Sequence, residues 1–121
     1  MLSLGDKQRV FGQLLPRLLG KAQELYPGGV VLGEAERSQA AADWNAAHGK
    51  GIKNSLHRLR LAVDIHLFKK VDNIWAYLTT EEAHRELGEW WEQQSGEGYT
   101  CCWGGRFGDG NHYSITHNGI K

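Results

Sequence analysis

The chain is poor in covalent and repetitive devices. It has two cysteines, two prolines and no excess of either charge, with 14 Lys+Arg against 14 Asp+Glu in 121 residues. The cysteines are neighbours, Cys101 and Cys102. Adjacent residues do not meet disulfide geometry without straining the peptide between them. Zinc motifs leave at least two residues between thiolates, so the pair is no metal motif either. It reads as two small hydrophobes on a strand, one facing inward and one outward. The zero net charge argues against a partner bound by phosphate neutralisation, so no nucleic acid is expected. No apolar run approaches the roughly 20 residues that span a bilayer, so no membrane insertion is expected. The opening MLSLGDKQRVFGQ lacks the charged and apolar regions of a secretory signal, which predicts a protein made in a cytoplasm. Linkers, repeats and low-complexity tracts are lacking too, and the length suits one domain over residues 1–121.

What the chain does have is 40% hydrophobic and 23% charged residues, a globular composition. Over residues 7–25, Val10, Phe11, Leu14, Leu15, Leu18, Leu19, Ala22 and Leu25 recur in steps of three and four. That spacing predicts an amphipathic helix, with a kink or break near Pro16. Pro27-Gly28-Gly29 predicts a turn and Val30-Val31-Leu32 a short strand. Ser38 suits the cap of a second helix over residues 39–48, with Trp44 on its buried side.

From residue 59 to 68 the period changes to two. Leu61, Val63, Ile65 and Leu67 form a core face, and Ala62, Asp64, His66 and Phe68 the other. An acid and an imidazole on a strand face are not there for packing alone. Asp72-Asn73 predicts a hairpin turn into a strand around residues 74–77. Thr79 with Glu82 suits a capping box for a helix running to about residue 94, and strands are expected at residues 100–103 and 112–115. Trp90, Trp91 and Trp103 read as core, and His48, His84 and His117 as surface histidines. The pattern is α+β: helices packed on a small, mostly antiparallel sheet.

Two imidazoles and a carboxylate suit a catalytic zinc, which keeps three protein ligands and one open position. His57, Asp64 and His112 offer such a set, and Asp109 stands three residues before His112 as a carboxylate placed to act as general base. Read without a metal, His57 is a loop histidine, Asp64 an acid paired with Arg58 or Arg60, and Gly108-Asp109-Gly110-Asn111 a turn.

The letters around these residues narrow the choice. Ser55-x-His57-x-x-x-x-Ala62-x-Asp64, with Asp109-x-x-His112 downstream, resembles the SxHxxGxAxD and (E/D)xxH signatures of the zinc-dependent M15 peptidases. The likeness is strongest to the small phage endolysin-type branch, in the runs GIKNSLHRLRLAVDIHLF (residues 51–68) and WGGRFGDGNHYSI (residues 103–115). The resemblance implies a Hedgehog/D-alanyl-D-alanine peptidase-like fold. It implies Zn2+ held by His57, Asp64 and His112, and Asp109 as the catalytic carboxylate. Arg37 matches the arginine that holds the scissile carbonyl, and Ser55 a substrate or neighbouring hydrogen bonder. Three departures stand out: Arg60 where the pattern has Gly, Asp109 where Glu also occurs, and His66 where similar sequences often carry Asn. His66 is then a rival ligand, a ligand's hydrogen-bond partner or a substrate contact.

The activity so implied is hydrolysis of amide bonds in the stem peptide of bacterial peptidoglycan, with the L-alanyl-D-glutamate bond expected in phage lysis. A D-alanyl-D-alanine carboxypeptidase or dipeptidase is the alternative within enzymes. A non-catalytic zinc module that binds cell-wall peptide is the alternative outside them. The protein is expected to be a monomer with no separate wall-binding domain, held in the host bacterial cytoplasm until released to the wall.

Overall fold

The computed structural model describes residues 2–33 and 56–121. Helix α1, Leu4–Leu25, opens on a capping box: Ser3 Oγ accepts from the Asp6 N–H, and the Asp6 carboxylate accepts from the Ser3 N–H. It buries Phe11, Leu14, Leu18 and Ala22, the stripe that the spacing predicts. The expected break at Pro16 does not occur, and α1 is a single helix through it. Pro16 and Gly12, whose carbonyl loses its donor, both lie on the exposed face, where water can serve that carbonyl.

After the Pro27–Gly28 turn come β1, Val30–Leu32, and the long strand β2, Ala62–Val71. β2 pairs antiparallel with β3, Ile74–Tyr77, through a two-residue turn in which Asp72 and Asn73 have φ of 50° and 68°. Positive φ at both positions marks the tight turn that matches strand twist, and Asp and Asn tolerate it well. Helix α2, Glu81–Glu92, follows, and then β4, Cys101–Trp103, and β5, His112–Ile115. The helix cap is Thr80, one residue beyond the expected Thr79: its Oγ1 accepts from the Ala83 N–H.

Among the described residues all strand pairs are antiparallel, in the order β1-β2-β5-β4, with β3 also on β2. Asp64 and Phe68 direct their backbone groups to β1, while Ile65 and Leu67 direct theirs the other way. β3 and the start of β5 therefore meet along one edge of β2. Two helices on a small antiparallel sheet make this an α+β fold among the described residues. The expected helix over residues 39–48, and Ser38 with it, lie outside the described residues.

One sheet face is the core. Val63, Ile65, Leu67, Tyr113, Ile115 and Trp103 are fully buried there against α1 and α2. Phe11 meets Trp91 edge-on, with centroids 6.1 Å apart, and the Trp91 indole N–H donates to the Ser114 carbonyl. Each such side chain contributes about 1.5–3 kcal/mol by burial. Cys101 and Cys102 are both free and point to opposite faces of the sheet as expected, but both are buried: Cys102, facing away from the core, lies opposite Ser114 in a covered part of its face.

Gly88 sits mid-helix in α2, where glycine ordinarily costs about 1 kcal/mol relative to alanine. It is required because the Trp103 ring lies on it: a Cβ at Gly88 would stand 2.1 Å from Trp103 Cδ2. Gly88→Ala is expected to destabilise the protein by about 1–3 kcal/mol despite its better helix propensity. Denaturant midpoints would check this, and an unchanged or raised midpoint would contradict it.

His84 corrects its surface assignment. It is 1% exposed, inside α2, with Nδ1 2.7 Å from the Tyr113 hydroxyl. Burial pushes its pKa from 6.5 to about 4, helped by the nearby His66 and opposed by Asn111. The unfolded chain takes up a proton near pH 6.5 and the folded protein only near 4. Stability is therefore complete above about 6.5 and declines as pH falls towards 4, by up to roughly 3 kcal/mol. Urea unfolding across that range should show the decline, and His84→Gln should flatten it. His117, the other described surface assignment, is half-buried and accepts from Lys7 Nζ at 3.2 Å.

Candidate metal centre

The second face of the sheet carries Ala62, Asp64 and His66 on β2 and His112 and Ser114 on β5. Asp64 and His112 are direct cross-strand partners. The Ile65 N–H donates to the Asn111 carbonyl at 3.0 Å, which makes them a non-hydrogen-bonded pair, the closer of the two antiparallel kinds. Their side chains consequently emerge side by side.

His57 reaches the same point from the turn before β2. That turn is closed by the Leu61 N–H donating to the Leu56 carbonyl, and Gln8 Nε2 of α1 holds the Leu59 carbonyl. Its last residue, Arg60, has φ 58°. A non-glycine residue in that left-handed conformation costs about 1–2 kcal/mol. Glycine would meet this backbone demand without that cost.

His57 Nε2 lies 3.2 Å and His112 Nδ1 3.8 Å from Asp64 Oδ1. The rings stand at 67° with centroids 5.3 Å apart. One potential ligand atom from each of the three residues falls within 4.8 Å of the others. Around a tetrahedral ion with bonds of about 2.0–2.1 Å, ligand atoms stand roughly 3.3 Å apart, against 3.2 Å and 3.8 Å to Asp64 Oδ1 here, so the group could hold a metal ion. Chemistry agrees with geometry. Asp64 Oδ1 is buried and accepts no hydrogen bond among the described residues, despite its two imidazole neighbours. An oxygen in that position suits a cation. Burial opposes the charge on Asp64, but the His112 and His57 imidazoles outweigh it and hold the carboxyl well below the usual carboxylate range. His57 and His112 are buried and Asp64 half-buried. The alternative pairing of Asp64 with Arg58 or Arg60 is replaced by the two histidines.

Asp109 and His112 share one turn. A 3-10 turn over Gly104–Phe107 leads into it. The Asp109 N–H donates to the Gly104 carbonyl, the His112 N–H to the Asp109 carbonyl, and the Trp103 indole to the Gly110 carbonyl. A Cβ at Gly104 would stand 2.2 Å from the Asp109 carbonyl oxygen and 2.6 Å from His112 Cβ, so only glycine lets the chain fold back this closely. Asp109 is exposed, and the Phe107 ring lies 5.9 Å from that of His112.

His66 shares the face of Asp64 but is not one of the three converging residues. Its Nδ1 lies 2.9 Å from the Tyr77 hydroxyl, which also accepts from Asn111 Nδ2 at 3.4 Å. Tyr77 and Asn111 were not legible as site residues from spacing, although the hairpin register that brings Tyr77 opposite Phe68 follows from the two-residue turn. Arg37 and Ser55 lie outside the described residues. No family model matches the chain, and no curated protein matches it either.

Proposed function

We propose that this protein is a zinc-dependent peptidase hydrolysing amide bonds in the stem peptide of bacterial peptidoglycan, with the Hedgehog/D-alanyl-D-alanine peptidase-like fold that its signature resembles. The observation that carries the proposal is the convergence of His57, Asp64 and His112, with ligand atoms within 4.8 Å of one another. These three residues occupy the ligand positions of the M15-like motifs, and the carboxylate of the second motif, Asp109, stands in the turn that delivers His112. His57 and His112 would hold the ion through nitrogen and Asp64 through oxygen. Zinc bound there supplies Lewis acidity, which polarises a carbonyl and brings water towards neutral pKa. Asp109 takes the proton from the attacking water and passes it to the leaving amine. Arg37 is assigned the scissile carbonyl oxygen, a task for its fixed guanidinium fork.

The L-alanyl-D-glutamate bond is the proposed target, cut during phage lysis. Turbidity of outer-membrane-permeabilised bacterial cells tests the activity. The suspension should clear with the zinc-loaded protein and not in the presence of a chelator. A module that only binds wall peptide would leave it turbid in both.

A further inference from the structure

Beside the three converging residues lies a second polar group that the mechanism does not use. Tyr77 ends β3, and its register opposite Phe68 puts it on the sheet face of His66, Asp64 and His112. The two strands that supply the group meet here, since Asn111 leads directly into β5. His66 borders the metal centre closely: a Cβ at Gly33 would stand 2.7 Å from His66 Nε2 and 3.0 Å from Asp64 Cβ. Tyr77 is 43% exposed, and its hydroxyl contacts His66 Nδ1 and Asn111 Nδ2.

Asn111 Nδ2 donates to the Tyr77 oxygen. If His66 carries its proton on Nδ1, it donates to Tyr77 as well, both oxygen lone pairs are engaged, and the Tyr77 O–H is left over. If His66 carries its proton on Nε2, Tyr77 donates to Nδ1, and the Nε2–H is left over on the side of Gly33 and Asp64. Either tautomer leaves one unspent donor on the face of the metal centre. A fixed donor beside a metal-centred cleft suits an oxygen acceptor on the bound substrate.

We propose that the His66–Tyr77 pair, fixed by Asn111, positions the substrate by donating one hydrogen bond to a carbonyl or carboxylate oxygen next to the scissile amide. This rests on the peptidase reading above. It makes Tyr77 a positioning residue and gives His66 a substrate role in place of a ligand role.

The test uses the zinc-loaded full chain and two synthetic stem peptides, with a free carboxylate or a carboxamide on the residue after the scissile amide. Hydrolysis is followed in the wild type, Tyr77→Phe, His66→Phe and the double variant, and peptide affinity in the same set built on Asp109→Asn. The single variant that removes the unspent donor, Tyr77→Phe or His66→Phe according to the tautomer, should weaken binding and raise KM about tenfold, as expected for one lost hydrogen bond, with kcat and zinc content little changed. The double variant should lose no more than the worse single one, because one donor is removed only once. A loss confined to the carboxylate peptide would name the carboxylate as acceptor, and an equal loss with both would name the carbonyl. An active wild type whose affinity is unchanged within twofold by both single variants would overturn this inference alone. So would additive losses in the double variant. A wild type that neither binds nor cleaves either peptide would overturn it together with the peptidase reading.

Discussion

Replacing His57 or His112 with alanine is expected to strip the protein of zinc and abolish peptide hydrolysis. The three ligand atoms lie within 4.8 Å of one another, and either substitution leaves two. Removing only a hydrogen-bond partner of a ligand ordinarily costs 10–100-fold in metal affinity or activity, so the loss of a ligand itself should exceed roughly 100-fold. The free ligands also compete with protons, because zinc binds neutral imidazole and carboxylate. Asp64 is already held as a carboxylate by His112 and His57, so the site is charged for a cation at neutral pH. Elemental analysis after dialysis should find about one zinc per wild-type chain and little in either variant. Full retention in both would remove these histidines as ligands.

The second large effect belongs to Asp109. Asp109→Asn is isosteric and leaves His57, Asp64 and His112 untouched. The backbone bonds that build its turn, from Asp109 N–H to Gly104 and from His112 N–H to Asp109, do not involve the side chain. Folding and zinc content should therefore persist. Turnover should fall by roughly 10²–10⁴-fold, the usual cost of losing a general acid–base group. The fall should lie in kcat, since the proton transfer belongs to the transition state and not to ground-state binding. A variant that kept zinc and wild-type turnover would exclude Asp109 from the chemistry. One that lost its zinc would make Asp109 a ligand or a support.

Much of this site is legible in the sequence because strand alternation is rigid. A period of two from Leu61 to Leu67 fixes which residues share a face with Asp64, and β2 keeps that order. His112 as the partner of Asp64 is not readable that way. Register between strands separated by tens of residues is set by the turns and core between them, here by Trp103, Gly104 and Gly110. Local rules gave way where tertiary contacts outweighed them. Pro16 predicts a break, but the buried stripe from Phe11 to Ala22 keeps α1 whole. His84 looks polar by type, yet it falls in the spacing of Leu87, Gly88 and Trp91, the buried face of α2. Cys102 alternates outward correctly, but being away from the core does not leave it exposed. Arg60 reads as a charged residue in a loop. Its φ of 58°, a conformation that favours glycine, shows only in the structure.

The ligand group formed by His57, Asp64 and His112 is proposed to serve hydrolysis of the peptidoglycan stem peptide. Mass spectrometry of purified muropeptides incubated with the zinc-loaded protein tests it most directly. The expected result is a new pair of termini at one stem-peptide amide, at L-alanyl-D-glutamate, formed without chelator and missing with it. Intact muropeptides after prolonged incubation with fully zinc-loaded protein would contradict it.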